Sequence, residues 1–412
     1  MSEVIFFVKG RWVYLDPHPN SSITKKLVNN LSYARKSSRF MPNPEWGIVR
    51  LYDSKRHRFP VGLLRRVKDL LDVNHSNEIM IDSRPIYDGL REYQQDALTV
   101  MLSNRCGIIK IPTGGGKTRV ALNYIKSVNK PTLVLVPTLD LVKQWREQVP
   151  EYVHVKTYAS IKKKDYIQQF SVVIFDECHH VAAKTLFKIG MNLSEDALVF
   201  GFSGTPLSRD DDNLKVEAVL GPIIYDISTQ KLKELGFICG AKIFFHRLSP
   251  YWGKGYITYP DLYEEYIVNN TERNNIIVNI ANNCMKPCLI LINRISHGEY
   301  LFDELVKRNV NVVFLNGQLK ERDAGGVDVV IATSIFDEGV DLPEIKTLIL
   351  GGGGKSDIKV IQRIGRGLRL KSDGSDLVVH DFVDDAKWFD KHSINRRKIF
   401  VDEGHEVVVV DD

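Results

Sequence analysis

The sequence predicts an α/β protein with two parallel-sheet domains in tandem, preceded by a small α+β domain. Between residues 89 and 225, apolar runs such as GIIKI and SVVIFDE alternate with helical stretches. Residues 240–400 repeat this alternation, from CLILINR to DLVVHDF. Near-continuous apolar runs of this length are typical of parallel strands that helices cover on both faces. The first 88 residues lack this alternation, and we expect them to form a separate unit.

The accessory segment has a shorter and more mixed pattern. VIFFVKGRWVYL is rich in β-branched and aromatic residues and turns near Lys9-Gly10, which predicts a pair of strands. Leu64, Val67 and Leu70 recur at helical spacing further along. We therefore predict a strand pair followed by a helix in this domain.

The connection between the two sheets marks the main domain boundary. GPIIYDISTQKLKELGF begins with Gly221-Pro222, a pair that ends regular structure, and continues as an amphipathic helix. The predicted domains are 1–88, 89–225 and 226–412.

Composition limits the class of protein. A chain of 412 residues exceeds one core, and 43% hydrophobic with 26% charged residues is ordinary for a soluble protein. No stretch reaches the roughly 18 apolar residues of a membrane helix, and the N-terminus lacks the basic start and cleavage site of a signal peptide. We expect a cytoplasmic protein without membrane association.

The cysteines do not suggest a covalent or metal framework. They are five in number, and no Cys-x-x-Cys spacing occurs among them. An odd, scattered set argues against both disulfides and a zinc site. We expect buried thiols at Cys106, Cys178, Cys239, Cys284 and Cys288.

Positive charge is concentrated in the accessory domain. Residues 1–88 contain 15 Lys and Arg and 9 Asp and Glu, which gives +6 against +5 for the whole chain. This excess indicates a polyanionic partner for the domain.

The stretch GIIKIPTGGGKTRVALNYI predicts a triphosphate site. An apolar run, a glycine turn and a helix start let backbone N–H groups converge on phosphate. Lys117 would reach the β and γ oxygens, and Thr118 would hold Mg²⁺. The stretch departs from the general G-x-x-x-x-G-K-[ST] pattern at Ile111, which leaves a glycine-rich strand-to-helix turn as the alternative at this point.

An acidic pair ends the later run SVVIFDECHH. Ligands of open α/β sheets bind at the carboxyl ends of the strands, where the glycine loop also lies. We predict that Asp176 holds the hydrated Mg²⁺ of a bound triphosphate and that Glu177 orients or deprotonates the attacking water. Helix N-terminal charges are the alternative for an isolated acidic pair, and the presence of Lys117 favours the catalytic interpretation.

Six stretches in order resemble the motifs of superfamily 2 helicases. The resemblance implies two RecA-like domains, ATP and Mg²⁺ as cofactors, and ATP-driven work on nucleic acid. The family's own PTGxGKT form also accounts for the departure at Ile111. The stretches are LREYQ (90–94), PTGGGKT (112–118), DECH (176–179), SGTP (203–206), TSIFDEGVDLP (333–343) and QRIGRGLR (362–369).

The resemblance assigns further nucleotide contacts. Gln94 would bond the adenine edge, with Tyr93 or Arg91 packed near it, and Gly339 and Asp341 would lie near the nucleotide. The cradle itself would consist of Thr113, Gly114, Gly115, Gly116, Lys117 and Thr118.

Helix geometry gives the last motif a role of its own. At about 100° per residue, Gln362, Arg366 and Arg369 fall within roughly 60° of one another, whereas Arg363 points away. The shared face would present two guanidinium groups to the γ-phosphoryl, a role worth about 10³–10⁵ in rate for an arginine finger. Without the other motifs, a solvated basic face would be the preferred interpretation.

A second glycine-rich stretch, GGGGKS at 351–356, also follows an apolar run. Ile349 occupies the position of its leading glycine, and no later strand of this domain ends in an acidic pair. We predict a mobile loop lining the cleft between the two sheets and no second nucleotide site.

Nucleic-acid contacts follow from the same resemblance. Elements of the family that hold the strand match PTL at 137–139, TYAS at 157–160, Arg294 with His297, and Asn316-Gly317. Such contacts go mainly to phosphates, so binding should be sensitive to salt and tolerant of sequence. The predicted contacts are Thr138, Ser160, Arg294, Asn316 and Thr333.

The layout of a small basic domain before the motor is similar to the UvsW-type helicases of phages and, more distantly, to the RecG and XPB groups. It implies a DNA helicase or translocase that unwinds or remodels branched or forked duplexes in replication, recombination or repair, with no obligatory protein partner evident.

Three alternatives remain open. An RNA helicase would have the same motor, and no feature of the sequence reads a 2′-hydroxyl. A restriction-type translocase subunit would need a nuclease partner. A nucleotide-binding clamp without turnover is disfavoured by Glu177, Arg366 and Arg369.

Overall fold

A computed structural model gives the architecture of two compact units. The first unit contains residues 1–112 and 116–227, and the second contains Thr113–Gly115 and Ser228–Asp412. The structure describes residues 5–35, 38, 41–73, 83–161, 164–204, 206, 212–251, 253, 258–316, 326–333, 345–353 and 373–411.

The accessory segment forms two small antiparallel sheets and two helices. The predicted strand pair is confirmed, and its turn contains Gly10 at φ +63°. Val13, Leu15 and Phe59 alternate inward and are buried. The elements are β1 (Ile5–Lys9), β2 (Trp12–Asp16), α1 (Ser21–Asn30), β3 (Ser32–Ala34), β4 (Ile48–Arg50), β5 (Arg58–Pro60) and α2 (Leu64–Leu70), with sheet orders β1-β2-β5 and β3-β4.

The first large sheet has six parallel strands in the order β11-β6-β10-β9-β7-β8. The apolar runs GIIKI and SVVIFDE form β6 and β9, as predicted. The strands are β6 (Cys106–Lys110), β7 (Thr132–Val136), β8 (Val153–Thr157), β9 (Val172–Asp176), β10 (Leu198–Ser203) and β11 (Ile223–Asp226), and the helices are α3 (Glu92–Leu102), α4 (Lys117–Val128), α5 (Leu139–Arg146), α6 (Lys164–Gln168), α7 (Lys184–Gly190) and α8 (Asn213–Leu220).

The segment expected to connect the two sheets contributes to the first one. Ile223–Asp226 pairs in parallel with β6 as an edge strand. The connection therefore begins after this strand, and the compact units divide between Ile227 and Ser228. The three domain bounds given above stay predictions.

The second sheet has seven parallel strands in the order β14-β15-β13-β16-β17-β12-β18. The two parallel sheets confirm the predicted fold class. The strands are β12 (Ala241–Arg247), β13 (Cys288–Ile292), β14 (Val312–Leu315), β15 (Val329–Thr333), β16 (Thr347–Ile349), β17 (Leu377–Val383) and β18 (Glu406–Asp411), and the helices are α9 (Thr229–Glu234), α10 (Tyr259–Tyr263), α11 (Thr271–Asn283), α12 (Ile295–Lys307) and α13 (Phe389–Asp402).

The accessory segment packs on α8 of the first unit. Arg66 donates to Glu217 from Nε, at 2.9 Å to Oε1 and 3.1 Å to Oε2, and from Nη2, at 2.6 Å to Oε2. Ala218 of α8 belongs to the same buried cluster as the accessory core. At Gly62 a Cβ would lie 2.1 Å from the Glu217 carbonyl oxygen, so only glycine allows this approach. The accessory segment and the first sheet therefore share a core.

The structure bears on two features considered from composition, membrane-spanning helices and the state of the cysteines. Among the described residues, no helix has both the length and the apolar character needed to cross a bilayer. All five cysteines are free thiols, of which Cys178, Cys239 and Cys288 are buried and the other two are partly exposed.

Candidate nucleotide-hydrolysis site

The glycine loop joins the carboxyl end of β6 to the start of α4. Gly116 is the N-cap of α4 at φ +78°, and Gly114 lies at φ +83°, both in the left-handed region that favours glycine. Gly116 has no side chain that could cap this helix end, and the Arg119 N–H already donates to the Gly116 carbonyl at 3.0 Å. The N–H groups of Lys117 and Thr118 can therefore serve an external anion. Lys117 and Thr118 lie in that turn. The local geometry is that of an anion-binding helix N-terminus.

Ile111 explains why the general glycine pattern is broken. Its side chain is fully buried, and its N–H donates to the carbonyl of Ser203 at 3.3 Å. Ile111 therefore packs in the core of the sheet, and its hydrogen bond joins the start of the loop to the end of β10.

Gln94 braces the other side of the loop. Only 1% of the residue is exposed, and its Oε1 accepts a hydrogen bond from the Arg91 backbone N–H at 3.0 Å. Its Nε2 lies 3.4 Å from the Tyr93 hydroxyl. A Cβ placed on Gly116 would meet the same Nε2 at 2.4 Å. The side chain therefore packs against Gly116 and links α3 to the glycine loop.

Asp176 ends β9 and is held by two donors. Its Oδ2 accepts from the indole Nε1 of Trp145 at 3.0 Å, and its Oδ1 accepts from the Glu177 backbone N–H at 3.0 Å. Burial and then the charge of Glu177 raise the pKa of Asp176 to about 6, against the opposing effects of Lys117 and Trp145. Trp145 was not identified from the sequence, because a buried tryptophan on an amphipathic helix looks like any core residue.

Glu177 turns the chain out of β9 in a left-handed conformation, φ 50° and ψ 55°, which is uncommon for a non-glycine residue. Its Oε2 accepts from the Ser203 hydroxyl at 3.3 Å. Nδ1 of His179 lies 3.3 Å from the same hydroxyl oxygen. Burial, followed by the neighbouring His180, lowers the pKa of His179 to about 4, so the ring is neutral at pH 7. The DECH and SGTP stretches are thus joined by direct side-chain contacts.

The donor set fits a magnesium-bound triphosphate. Burial and, second to it, the neighbouring charge of Glu177 raise the pKa of Asp176, and a divalent cation at this edge would offset both effects. Among the described residues no group of three or more His, Cys, Asp or Glu side chains forms a metal site. Mg²⁺ bound with phosphates needs only one or two carboxylates and keeps several waters. Asp176 with the Thr118 hydroxyl satisfies that requirement.

Several predicted nucleotide contacts lie outside the described residues. They are Gly339, Asp341, Gln362, Arg366 and Arg369. The arginine face of the last motif accordingly stays a prediction.

Two predicted strand contacts in the first unit have local roles. The Thr138 hydroxyl caps α5 by accepting from the Leu141 N–H at 3.4 Å. The Ser160 hydroxyl donates to the Thr157 carbonyl at 2.7 Å and is exposed. Both follow carboxyl ends of strands, β7 and β8, at the same edge as the glycine loop.

The predicted contacts of the second unit differ in exposure. Arg294 is half exposed, and its Nε lies 3.2 Å from Glu264 Oε1. Thr333 ends β15, and its buried Oγ1 has no hydrogen-bond partner within the described chain. Asn316 directly follows β14 and is partly buried. His297, grouped with Arg294 from the sequence, is fully buried and lies 2.8 Å from Asn274 Oδ1, which makes it a core residue.

The glycine stretch of the second unit is anchored where it is described. Arg273 Nε donates to the Gly351 carbonyl at 3.0 Å, and Asn293 Nδ2 donates to the Gly352 carbonyl at 2.9 Å. The Tyr263 hydroxyl donates to Gly352 as well. Three side chains thus donate to the carbonyls of Gly351 and Gly352, of which Arg273 and Tyr263 are buried and Asn293 is partly buried. The expectation of a mobile loop stays a prediction.

Fold and site define a nucleotide-binding motor of the tandem parallel-sheet class. The family of Type III restriction enzyme res subunits matches residues 88–167 and 151–208, and the helicase conserved C-terminal domain matches residues 272–371. The chain belongs to the superfamily 2 helicases, with one of these domains in each unit. This family uses ATP.

Curated relatives extend over most of the chain. The ATP-dependent DNA helicase uvsW of Enterobacteria phage T4 is 24% identical and aligns with 91% of this chain and 89% of its own length. The DNA 3'-5' translocase XPB2 of Sulfurisphaera tokodaii is 28% identical over 71% of this chain and 83% of its own.

A solved structure supports the fold alone. A fragment of a putative HsdR subunit of a type I restriction enzyme from Vibrio vulnificus YJ016 has a TM-score of 0.60 at 17% identity. The match covers 90% of this chain and 77% of the fragment.

Proposed function

We propose that this protein is an ATP-dependent DNA helicase or translocase that remodels branched or forked duplex DNA in replication, recombination or repair. The observation that carries the proposal is the contact between Glu177 and Ser203 beside the glycine loop. It joins the residue suited to activate water to the motif that the family uses to couple hydrolysis to strand contact. The names of the relatives, a DNA helicase and a DNA translocase, favour DNA as the substrate.

In this proposal the first unit performs the chemistry of nucleotide binding. The N–H groups at the start of α4 and the Lys117 ammonium hold the phosphates, and Thr118 with Asp176 holds Mg²⁺, partly through water. The ion would neutralise charge on the phosphates. Glu177 accepts the proton of the attacking water, and its orientation depends on the Ser203 hydroxyl.

The remaining motif residues complete the proposed site. Gln362, Arg366 and Arg369 neutralise charge on the γ-phosphoryl, and Gly339 and Asp341 contact the nucleotide. Thr138, Ser160, Arg294, Asn316 and Thr333 position a DNA strand through its phosphates. Gln94 bonds the edge of the adenine, and Tyr93 or Arg91 packs near it.

The accessory segment offers a surface for nucleic acid. Phe7 and Tyr14 are directly opposed on β1 and β2, and their rings stack at 5.2 Å with 12° between the planes. The Arg58 guanidinium lies 4.2 Å from the centre of the Trp12 ring and donates to the Tyr14 hydroxyl at 3.1 Å. Aromatic rings and arginine planes stack on bases without selecting sequence. The segment also carries the excess positive charge.

An unwinding panel tests the proposal. Forks, four-way junctions, linear DNA duplexes and RNA duplexes of equal length are compared with and without ATP. The proposal expects ATP-dependent remodelling of forks and junctions above that of linear duplex, and little action on RNA. Equal or greater action on RNA would favour an RNA helicase, and translocation without strand separation would favour a restriction-type motor.

A further inference from the structure

A cavity of about 700 Å³ lies in the first unit, between the accessory segment and the first sheet. Its sheet-side lining includes Arg105 and Cys106 at the start of β6 and Pro222 just before β11. These are the amino ends of parallel strands. The glycine loop follows the carboxyl end of β6, about 16 Å away along a five-residue strand. The cavity is therefore distinct from the predicted triphosphate site.

The acidic residues in the wall are already engaged. Glu195 Oε2 accepts the Gly10 backbone N–H at 2.7 Å, and Asp196 Oδ1 lies 3.3 Å from Arg105 Nη2. Neither carboxylate approaches the remaining cations of the cavity as an ion-pair partner within the described chain.

The remaining cations have no acidic partner among the residues that the structure describes. Arg11 is only 4% exposed; its Nη2 donates to the Val219 carbonyl, and its Nε has no hydrogen-bond partner in the described part of the protein. Arg65 and Lys68 of α2 line the same cavity, and no ion pair with a described residue involves either side chain. A buried guanidinium without an anion is costly, and an anion supplied from outside removes that cost.

Apart from Ser103 and Asn104, the rest of the wall is apolar. Val8, Val61 and Leu64 come from the accessory segment, and Ile224 comes from β11. A cavity of this size, with apolar walls and a few convergent polar groups, is typical of a small-molecule site. The charged groups that are not already engaged, Arg11, Arg65 and Lys68, are all cations. They therefore favour an anionic ligand with a hydrophobic or aromatic part.

We propose that this cavity binds a nucleoside phosphate, with the phosphate on Arg11, Arg65 and Lys68 and the organic part against the apolar wall. A free nucleotide and the 5′-phosphorylated end of a DNA strand share this chemistry. Because the walls come from both the accessory segment and the first sheet, the ligand would also fasten one to the other. The proposal does not depend on hydrolysis at the glycine loop.

Fluorescently labelled thymidine monophosphate is a suitable probe. It is titrated into the full-length protein while saturating ADP and Mg²⁺ occupy the glycine-loop site, and binding is followed by anisotropy. The double variant Arg65→Ala/Lys68→Ala should weaken binding about tenfold or more, since it removes two charge-assisted contacts. The control Lys25→Ala/Lys26→Ala removes the same charge from exposed positions on α1 and should stay within about twofold.

Competition separates the two sources of the ligand. Displacement by unlabelled thymidine monophosphate, with no displacement by a 5′-phosphorylated oligonucleotide, supports a free nucleotide. Displacement by a 5′-phosphorylated oligonucleotide, but not by the same oligonucleotide with a 5′-hydroxyl, supports a strand end. The proposal is overturned if neither thymidine monophosphate nor the 5′-phosphorylated oligonucleotide binds saturably. It is also overturned if the Arg65→Ala/Lys68→Ala variant binds the probe with the affinity of the wild type. ATP hydrolysis by that variant should match the wild type, so failure here leaves the proposed function untouched.

Discussion

Trp145 Nε1 donates a hydrogen bond to Asp176 Oδ2 at 3.0 Å, between a helix and a strand of the first unit. The other carboxylate oxygen accepts the Glu177 N–H. Each oxygen of a carboxylate has a further lone pair, so both can still accept from water bound to a metal. The indole thus fixes the orientation of the carboxylate without consuming its capacity to bind a hydrated ion.

Trp145→Phe should lower the turnover number for ATP hydrolysis about tenfold. Phenylalanine fills most of the space, but Asp176 loses a hydrogen bond of a kind worth about 1.5–3 kcal/mol with a charged group. Steady-state hydrolysis at saturating Mg²⁺ and ATP measures the effect. Trp46→Phe is the matched control, because Trp46 is 72% exposed. An unchanged turnover number in Trp145→Phe would show that the contact has no role in orienting the carboxylate.

The raised pKa of Asp176 predicts a pH-dependent stability. The value is about 6 in the folded protein against 3.8 ordinarily, so between these limits the unfolded chain loses its proton first and stability falls as pH rises. Asp176→Asn removes this contribution. Relative to the wild type, the melting temperature of the variant should therefore increase from pH 4.5 to pH 7.5, by a few degrees in the absence of nucleotide and with EDTA present. A difference that is constant over this range would contradict the assignment.

Gly116→Ala should impair both folding stability and ATP binding. The residue has φ +78°, and the added Cβ would meet Gln94 Nε2 at 2.4 Å. We expect a loss of more than about 1 kcal/mol in the free energy of unfolding. Measured by urea denaturation, the cost should be smaller in a Gln94→Ala background, where only the backbone strain remains. Equal costs in both backgrounds would show that the side chain of Gln94 does not pack against the loop.

Trp12→Ala should weaken binding of single-stranded DNA roughly 5- to 100-fold, since stacking of one base on an aromatic ring is worth about 1–3 kcal/mol. Removing residues 1–88 is a poorer experiment, because it would uncover the cluster shared with Ala218. Trp46→Ala removes an exposed tryptophan from the same segment and should have little effect. Anisotropy with labelled oligonucleotides at two salt concentrations measures both variants. Equal losses would assign no special role to the face formed with Arg58.

The sequence predicted best those parts of the candidate site that consist of residues adjacent in the chain. The loop before Lys117 and the acidic pair after β9 are local patterns, and their positions at strand ends follow from the parallel sheets. β8 was missed because VHVKT alternates apolar residues with His and Lys, and β18 was missed because it lies beyond residues 240–400, where the apolar runs were identified.

Sequence patterns could not predict contacts between segments that are far apart in the chain. Trp145 and Asp176 are 31 positions apart, and Arg11 meets Val219 across 208 positions. No spacing rule relates such pairs, because the folded sheet brings them together. The glycines at 351–353 suggested mobility by composition, and the hydrogen bonds from Arg273, Asn293 and Tyr263 could not be predicted from the sequence.

The central claim is that Glu177 activates water for ATP hydrolysis that nucleic acid stimulates. Its most direct test is steady-state ATP hydrolysis by the wild type and Glu177→Gln, with and without forked DNA. The account predicts stimulation of the wild type by DNA and a loss of about 10²–10⁴ in the turnover number of the variant, while its affinity for ATP is retained. A Glu177→Gln protein with full DNA-stimulated hydrolysis would contradict the account.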